Sequence, residues 1–358
     1  MINLNNQTIY KKTSNELIAK SIELLADQIR QVLEEAYLIK IPHNYSKINQ
    51  IVVNGMGGSN LGAGIIKAVF NNQMKVPFSI TPGYDVPASV DKNTLYLLSS
   101  YSGNTEEVLS VYQKVKEQGA KLLAITSNTK DNKLAKLMFK DNIPGYIFKS
   151  EFNPSNQPRL GLGYMIFGTA VLLAKIGLFE LNIGELEDII ASLEIWDRKL
   201  RPLVDEKNNV AKQIALKLYN KQPIIIATEF LVGNARVLRN QLCENSKNFA
   251  SYLVLPDLNH YAMEGLTNPL KNSQNLVFLF FYSQFFHQRI QKRIKLTKQI
   301  IEKNKITVVD HVLQGQNKLK QVFEMLQIGT WVSYYLGALN QVDPIEIPWV
   351  DWFKKGMK

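Results

Sequence analysis

Ser99-Ser100-Tyr101-Ser102-Gly103-Asn104-Thr105 follows the apolar run 95–98 and precedes a helical pattern of apolar residues at Val108, Leu109, Tyr112 and Val115. This order predicts a strand, a hydroxyl-rich turn and a helix. A helix N-terminus exposes unpaired backbone N–H groups and a partial positive charge, and Ser100, Ser102 and Thr105 add hydroxyl donors. The stretch therefore predicts an anion site suited to a phosphate, although an ordinary Ser/Thr helix cap fits the same residues.

A glycine-rich stretch upstream strengthens this interpretation. Gly55-Met56-Gly57-Gly58-Ser59-Asn60-Leu61-Gly62 follows the strand-like run 51–53 and leads into another helical pattern. Glycine lets the backbone turn tightly and approach a ligand closely. No Gly-Lys-Ser/Thr follows, so this is not a P-loop, and Asn60 stands where the dinucleotide fingerprint G-x-G-x-x-G needs glycine. The loop predicts a phosphate cradle, with Gly57, Gly58 and Ser59 as candidates, but not a nucleotide site.

Strand-like and helical patterns alternate along the chain, which predicts an α/β fold. Because the strands are apolar throughout, each should lie in a parallel, doubly wound sheet of the flavodoxin-like or Rossmann-like kind. The predicted strands of the first half are 50–54, 76–80, 95–99, 121–126 and 145–148, and its predicted helices are 14–38, 60–71, 104–118 and 130–139. Both candidate loops follow strands and should lie at the carboxyl edge, where such sheets bind ligands.

The second half of the chain repeats this outline and predicts a second domain of the same kind in tandem. Its predicted strands are 223–227, 252–254 and 276–280, and its later predicted helices are 284–302 and 316–340. We expect an N-terminal domain at 1–160, linking helices at 161–200 and the second domain at 201–358. Neither phosphate loop recurs after the strand at 223–227, so we expect one phosphate site per chain.

Composition excludes several functional classes. The 358-residue chain is 46% hydrophobic, which is typical of a globular protein, and no uncharged apolar run is long enough to span a membrane. The N-terminus lacks the basic start and apolar core of a signal peptide. The one cysteine, Cys243, fits a reducing compartment, so we expect a cytoplasmic protein with no membrane partner.

The net charge of +11 raises the question of a nucleic-acid partner. The lysines are scattered, however, and the densest basic cluster, 289–295, alternates with apolar residues at helical spacing. That spacing favours a solvated helix face over a polyanion site. We therefore expect no nucleic-acid partner, and part of the basic charge can attract a phosphorylated substrate.

Together, the two loops resemble those of a sugar-isomerase (SIS) domain, a parallel-sheet α/β fold that binds phosphosugars. Aldose–ketose isomerisation moves a proton between C1 and C2, which needs a base and stabilisation of an enediolate. Glu244 ends the predicted helix after strand 223–227, and His260 lies in a polar turn before Glu264-Gly265. Taken alone, Glu244 also fits an exposed carboxylate, and His260 also fits a structural loop histidine.

The spacing Glu-x15-His-x3-Glu-Gly resembles the second half of the bifunctional phosphoglucose/phosphomannose isomerase family, and the tail from 334 to 344 is similar too. The resemblance implies that Glu244 moves the proton and that Arg159 stabilises the enediolate. It also implies that His260 and Lys354 assist ring opening. In the family the histidine reaches in from the partner subunit, which implies a homodimer. The residues that the resemblance assigns to the sugar phosphate are Gly58, Ser59, Ser100, Ser102 and Thr105.

The resemblance implies a cofactor-independent isomerase that interconverts glucose 6-phosphate, mannose 6-phosphate and fructose 6-phosphate. No Cys/His cluster with ligand spacing stands in the sequence, so no metal or cofactor is expected. Lys355 is the alternative to Lys354, and either also fits a solvated tail charge. Asn60 departs from the family's glycine.

Ile347 or Pro348 stands near a small polar residue of those members of the family that accept mannose 6-phosphate. Phosphoglucose activity is therefore better supported by the resemblance than phosphomannose activity. A phosphosugar-sensing regulator and an isomerase of another phosphosugar are the alternatives. The first would belong to a different functional class, since many SIS proteins are sensors fused to a DNA-binding domain. We expect no pair of short helices around a tight turn in the first 50 residues, which argues against it.

Overall fold

The computed structural model describes residues 2–357 and contains two parallel β-sheets. The first sheet has the order β2-β1-β3-β4-β5 and consists of β1 (Gln50–Asn54), β2 (Phe78–Ile80), β3 (Thr94–Ser99), β4 (Lys121–Ser127) and β5 (Gly145–Phe148). The second has the order β7-β6-β8-β9 and consists of β6 (Gln222–Ala227), β7 (Ser251–Val254), β8 (Leu276–Tyr282) and β9 (Thr307–Val312). All neighbouring strands run parallel, so the predicted pair of doubly wound α/β sheets is confirmed.

Helices cover the sheets and join them. The helices of the first half are α1 (Thr13–Glu23), α2 (Leu25–Glu35), α3 (Gly58–Phe70), α4 (Glu106–Glu117), α5 (Lys133–Lys140) and α6 (Leu162–Lys175). Those of the second half are α7 (Ile183–Leu200), α8 (Val210–Leu218), α9 (Val232–Asn245), α10 (Asn272–Asn275), α11 (Gln288–Lys303), α12 (Lys318–Leu339) and α13 (Pro348–Gly356). α6 and α12 are buried along almost their whole length, which explains why apolar residues occupy most of their faces.

The strands of the first sheet alternate between two apolar clusters, as a sheet covered on both faces requires. Leu97 belongs to a large cluster that includes α3 and α6, whereas Leu98 belongs to a smaller cluster with α4 and α5. The large cluster continues into the second sheet and α12. The two sheets therefore share one continuous core.

Two glycines let α3 pack closely against helices of both halves. A Cβ at Gly62 would lie 2.5 Å from the carbonyl oxygen of Met165 in α6. A Cβ at Gly233 in α9 would lie 2.7 Å from the Cα of Ile65 in α3. Since α3 begins in the glycine loop and α9 carries Glu244 in its last turn, this close packing fixes the loop relative to Glu244.

The structure differs from the sequence prediction in several elements. The single helix predicted over 14–38 is wrong, because the chain turns at Leu24, where ψ is 12°, and a 3₁₀ turn follows at Ala36–Leu38. The expectation of no short helix pair in the first 50 residues is therefore wrong too, since α1 and α2 meet in a tight turn at Leu24. This turn lets α1 contact α12 while α2 packs against α6 and α7. Strand β9 and helices α10 and α13 lie outside the predicted elements. In β9 only Val309 is buried, so no continuous apolar run marks that edge strand.

The basic cluster 289–295 lies on α11, which is amphipathic. The helix buries Ile294, Thr297 and Ile301 and exposes Lys292 and Lys295. The predicted solvated helix face is therefore confirmed. Within residues 2–357, no helix combines the length and apolar character needed to cross a bilayer.

Candidate active site

The two predicted phosphate loops lie side by side at the carboxyl edge of the first sheet. One joins β1 to α3 and the other joins β3 to α4, and β1 and β3 are neighbours. The backbone N–H of Tyr101 donates to Ser59 Oγ at 2.9 Å, and Ser99 Oγ donates to the Ser59 carbonyl at 2.6 Å. Ser59 therefore ties the loops together, and its hydroxyl keeps a proton that it can donate to a ligand.

The glycine loop requires glycine at two positions. Gly57 has φ of 49° and ψ of −129°, a conformation that side chains disfavour, at the N-cap of α3. A Cβ at Gly58 would lie 2.9 Å from the carbonyl carbon of Pro158 and 3.0 Å from the backbone nitrogen of Arg159. The segment that carries Arg159 therefore contacts the loop directly. The start of α3 lies at the same place and contributes the partial positive charge of a helix N-terminus.

The hydroxyl loop places two of its three predicted donors together. The hydroxyls of Ser100 and Thr105 lie 2.7 Å apart, while Ser102 is exposed and its Oγ accepts a bond from the N–H of Asn104 at 3.3 Å. Thr105 occupies the N-cap of α4, yet its side chain makes no capping bond. The ordinary helix-cap interpretation therefore does not hold for Thr105, and its hydroxyl is available to the loop.

Asn132 supports the hydroxyl loop and was not among the predicted residues. Its buried side chain donates to Thr126 Oγ1 at 2.6 Å and to the Ser127 carbonyl at 2.5 Å, and it accepts from the N–H of Ala135 at 2.7 Å. Gly103 has φ of 70°, and a Cβ there would overlap the Asn132 amide at 1.7 Å. Gly103 is the sequence signal for this contact, because a glycine in a turn often marks a close approach.

Arg159 lies at the centre of the site and is 1% exposed. A guanidinium has five N–H donors, and the structure gives Arg159 five hydrogen bonds. Nε donates to Asn245 Oδ1 at 2.6 Å, Nη1 to Gln157 Oε1 at 2.7 Å and Glu244 Oε2 at 3.3 Å, and Nη2 to the carbonyls of Pro344 at 2.7 Å and Ile345 at 3.1 Å. Arg159 thus joins its own segment to the end of α9 and to the C-terminal tail.

Glu244 lies in the last turn of α9, and its side chain is 29% exposed. Burial raises its pKa, and the charges of Arg159, Lys354 and Lys247 partly oppose that rise. Among the described residues, Arg159 is the side chain that bonds to the carboxylate, through Oε2. A partly exposed carboxylate with a raised pKa and a fixed cation beside it has the properties of a general base.

The remaining predicted residues, His260 and Lys354, make no hydrogen bond to Glu244 in residues 2–357. His260 is exposed at the end of a 3₁₀ turn after β7, Asp257–His260. Its neighbour Asn259 holds that turn against α11 by donating to Thr297 Oγ1 at 2.8 Å. Lys354 lies on α13, and its charge partly opposes the rise of the Glu244 pKa that burial causes. The structure thus brings together the two loops, Arg159 and Glu244, but not His260.

The part of the chain that the structure describes contains no group of three or more His, Cys, Asp or Glu side chains that could hold a metal ion. The arrangement instead offers helix N-termini, hydroxyls, one carboxylate and one guanidinium. These groups can bind an anion, move a proton and stabilise a developing negative charge without a metal.

Comparison with known proteins agrees with this geometry. The family model "SIS domain" matches residues 44–139, and "Bacterial phospho-glucose isomerase C-terminal SIS domain" matches residues 207–357. A bifunctional phosphoglucose/phosphomannose isomerase from Caldicellulosiruptor bescii is 33% identical over 339 residues, which cover 94% of this chain and 97% of the relative. The chain belongs to the bifunctional phosphoglucose/phosphomannose isomerase family. It is therefore an isomerase.

One further member of this isomerase family and one solved structure extend the comparison. A bifunctional phosphoglucose/phosphomannose isomerase from Aquifex aeolicus is 29% identical over 86% of this chain and 90% of the relative. The crystal structure of a hypothetical protein from Thermus thermophilus superposes with a TM-score of 0.70 at 16% identity, covering 99% of this chain and 95% of that one. At that identity the structural likeness supports the fold alone.

Sequence reasoning missed several residues of the candidate site. Gln157 and Asn245 hold the Arg159 guanidinium, and Gln241 Nε2 donates to the Arg159 carbonyl at 3.0 Å. Asn245 and Gln241 lie on the same helix as Glu244, one residue after it and three residues before it. Helical spacing puts them on one face with Glu244, but nothing in the sequence says that Arg159 packs there.

Proposed function

We propose that this chain interconverts glucose 6-phosphate and fructose 6-phosphate, and mannose 6-phosphate and fructose 6-phosphate, without a cofactor. The reaction would proceed by proton transfer through a cis-enediolate. The observation that carries the proposal is the contact of Arg159 with both functional elements: its segment packs on Gly58 of the glycine loop, and its guanidinium bonds to Glu244. One rigid unit therefore joins a phosphate cradle to a candidate base.

The phosphate of the substrate would bind between the two loops. Backbone N–H groups at the start of α3 and α4 and the loop hydroxyls supply the donors, and both helix N-termini favour the negative charge. The residues assigned to this site are Gly57, Gly58, Ser59, Ser100, Ser102 and Thr105. The contact between the Ser100 and Thr105 hydroxyls at 2.7 Å supports a shared role for these two.

Glu244 would take the proton from C2 of the open-chain aldose and return it to C1 to give the ketose. Its raised pKa, caused mainly by burial, suits a group that must both accept and release a proton. The negative charge that develops on the enediolate oxygens would lie beside Arg159 Nη1, whose bond to Glu244, at 3.3 Å, is the longest of the five. Because this bond is the longest, its N–H can donate to the enediolate with the smallest loss of existing hydrogen bonding.

His260 would assist ring opening from the partner subunit of a homodimer, together with Lys354. The exposed position of His260 and its anchoring on α11 support this arrangement, since within residues 2–357 no bond links it to Glu244. α13 adds support, because Trp349, Trp352 and Phe353 are 82%, 72% and 59% exposed around Lys354. Exposed aromatic side chains of this density are typical of a surface that contacts another protein.

We further propose the domain limits 1–160, 161–200 and 201–358, and a cytoplasmic location that suits a chain with one cysteine. Limited proteolysis tests the limits, since cleavage should concentrate near 160 and 200 if these are domain boundaries.

A coupled assay of the EDTA-treated protein on fructose 6-phosphate tests the activity, with one arm that detects glucose 6-phosphate and one that detects mannose 6-phosphate. Both products are expected, and Glu244→Gln should abolish both while phosphosugar binding by calorimetry persists. Glu346→Gln, which changes a carboxylate of the nearby tail, is the matched control and should retain activity. Binding without either product in the wild-type protein would overturn the proposal and favour a phosphosugar sensor.

A further inference from the structure

Lys247 stands three residues after Glu244, just beyond the end of α9, and has φ of 53°. Its ammonium donates two hydrogen bonds to backbone carbonyls that lie far apart in the sequence. One goes to the carbonyl of Glu244 at 2.7 Å, and the other goes to the carbonyl of Asp343 at 2.6 Å. Lys247 therefore links the helix that carries the candidate base to the C-terminal tail.

The tail turn at 343–345 is held by two cations. Lys247 binds the carbonyl of Asp343, and Arg159 binds the next two carbonyls, of Pro344 and Ile345, at 2.7 and 3.1 Å. The turn is also closed on itself, because Asp343 Oδ1 accepts from the N–H of Ile345 at 2.8 Å. Three successive carbonyls are thus captured by side chains that both lie beside Glu244. α13 follows this turn directly and carries Lys354.

The ammonium of Lys247 lies among several charged side chains. A lysine that served only solubility would not require this position. Lys247 is exposed at the surface, yet partial burial and the neighbouring Arg159 charge lower its pKa to about 8, while Asp343, Glu244 and Glu346 oppose that change. A lysine held next to another cation is costly unless it makes bonds that offset the repulsion. The two short bonds to carbonyls supply that compensation and define where the tail begins.

We infer that Lys247 is a positioning residue: it clamps the tail turn 343–345 to the end of α9 and so fixes Lys354 relative to Glu244. The inference rests on the proposed function, because it assigns Lys247 a purpose within that reaction. The phosphate loops lie at the other side of Arg159, so the clamp should affect turnover more than substrate affinity. Displacement of a catalytic group by about 1 Å can cost about 100-fold in rate.

Two measurements on full-length variants test the clamp. Lys247→Met should lower kcat about 10- to 100-fold with KM for fructose 6-phosphate within about twofold. It should also speed backbone hydrogen exchange across 345–356. Lys247→Arg, which keeps two donors, should restore most of both. Lys121→Met is the matched control, because Lys121 Nζ likewise bridges two backbone carbonyls, of Lys47 and Lys92, far from the site, and both readouts should stay unchanged.

The outcomes separate this inference from the proposed function. Unchanged exchange of the tail in Lys247→Met overturns the clamp, whatever the activity does. Faster exchange with unchanged kcat overturns the positioning role, because the tail would then move without effect on the reaction. Absence of isomerase activity in the wild-type protein refutes the proposed function and with it the catalytic purpose of the clamp, while the exchange measurement still decides whether the clamp exists.

Discussion

Gly58→Ala tests the contact that joins the phosphate cradle to Arg159. A Cβ at this position would lie 2.9 Å from the carbonyl carbon and 3.1 Å from the Cβ of Pro158. Ordinary contact begins near 3.4 Å, so the loop and the Pro158–Arg159 segment must separate by about 0.5 Å. Overpacking of this kind costs about 1–3 kcal/mol of unfolding free energy. Because Arg159 moves with its segment, we expect kcat/KM to fall about 10- to 100-fold.

The assay combines urea unfolding with steady-state kinetics on fructose 6-phosphate. Gly64→Ala is the control, since Gly64 lies in the same helix and a Cβ there meets no atom within 4 Å. That variant should gain about 0.5–1 kcal/mol of stability from better helix propensity and keep its kinetic constants. Wild-type stability and activity in Gly58→Ala would refute the close contact between the glycine loop and Arg159.

Three further predictions concern the base and its support. Glu244→Gln should lower kcat about 100- to 10,000-fold with little change in KM, and a large rise in KM instead would contradict its role as base. Since protonation removes the base and burial raises the Glu244 pKa, kcat/KM should fall as pH drops through a value above 4.5, and an acid limb below 4.5 in the pH profile would argue against it. Asn245→Leu should cost about 1–3 kcal/mol in urea unfolding, because it leaves Arg159 Nε buried and unpaired; an unchanged midpoint would show that this bond is dispensable.

The sheets could be predicted from the sequence because each strand is an apolar run bounded by polar turns. The strands that were predicted agree with the structure to within two residues, from β1 at Gln50–Asn54 to β8 at Leu276–Tyr282. Strand β9 was not predicted because it has no apolar run. Its one buried residue is Val309, and the residues that follow are Asp310 and His311. The break at Leu24 was not predicted because apolar residues continue at helical spacing through it. Tertiary packing decides where the chain turns.

The candidate site likewise has parts that the sequence predicts and parts that it does not. The two loops have local sequence patterns, and they follow β1 and β3 at the carboxyl edge of the first sheet, as those patterns predict. Glu244 was selected by a family resemblance, and its role stays a prediction. The bonds of Arg159 to the carbonyls of Pro344 and Ile345 have no such pattern, since a backbone acceptor is the same at every residue. Lys247 was overlooked for the same reason, because both of its acceptors are carbonyls.

A chain of buried polar side chains explains how Arg159 is held in position. On α12, Thr330 donates to Gln241 Oε1 at 3.1 Å, and Ser333 accepts from Asn245 Nδ2 at 3.0 Å. Gln241 and Asn245, four residues apart on one face of α9, then bond to the Arg159 carbonyl and to its Nε. Gly337 permits this approach, since a Cβ there would lie 2.9 Å from the Asn245 carbonyl oxygen.

The burial of the Arg159 guanidinium is electrostatically unfavourable, but it suits the proposed reaction. Burial lowers the pKa of Arg159, and the charge and bond of Glu244 oppose that change. The guanidinium is thus a desolvated cation, and four of its five hydrogen bonds go to neutral groups. A cation that is already fixed and desolvated needs no reorganisation when an enediolate forms beside it, and its attraction to that charge is stronger than in water. In the proposed reaction, Gln241 and Asn245 of α9 would therefore act through the position of Arg159. Thr330 and Ser333 of α12, which bond to them, would act in the same way without touching the substrate.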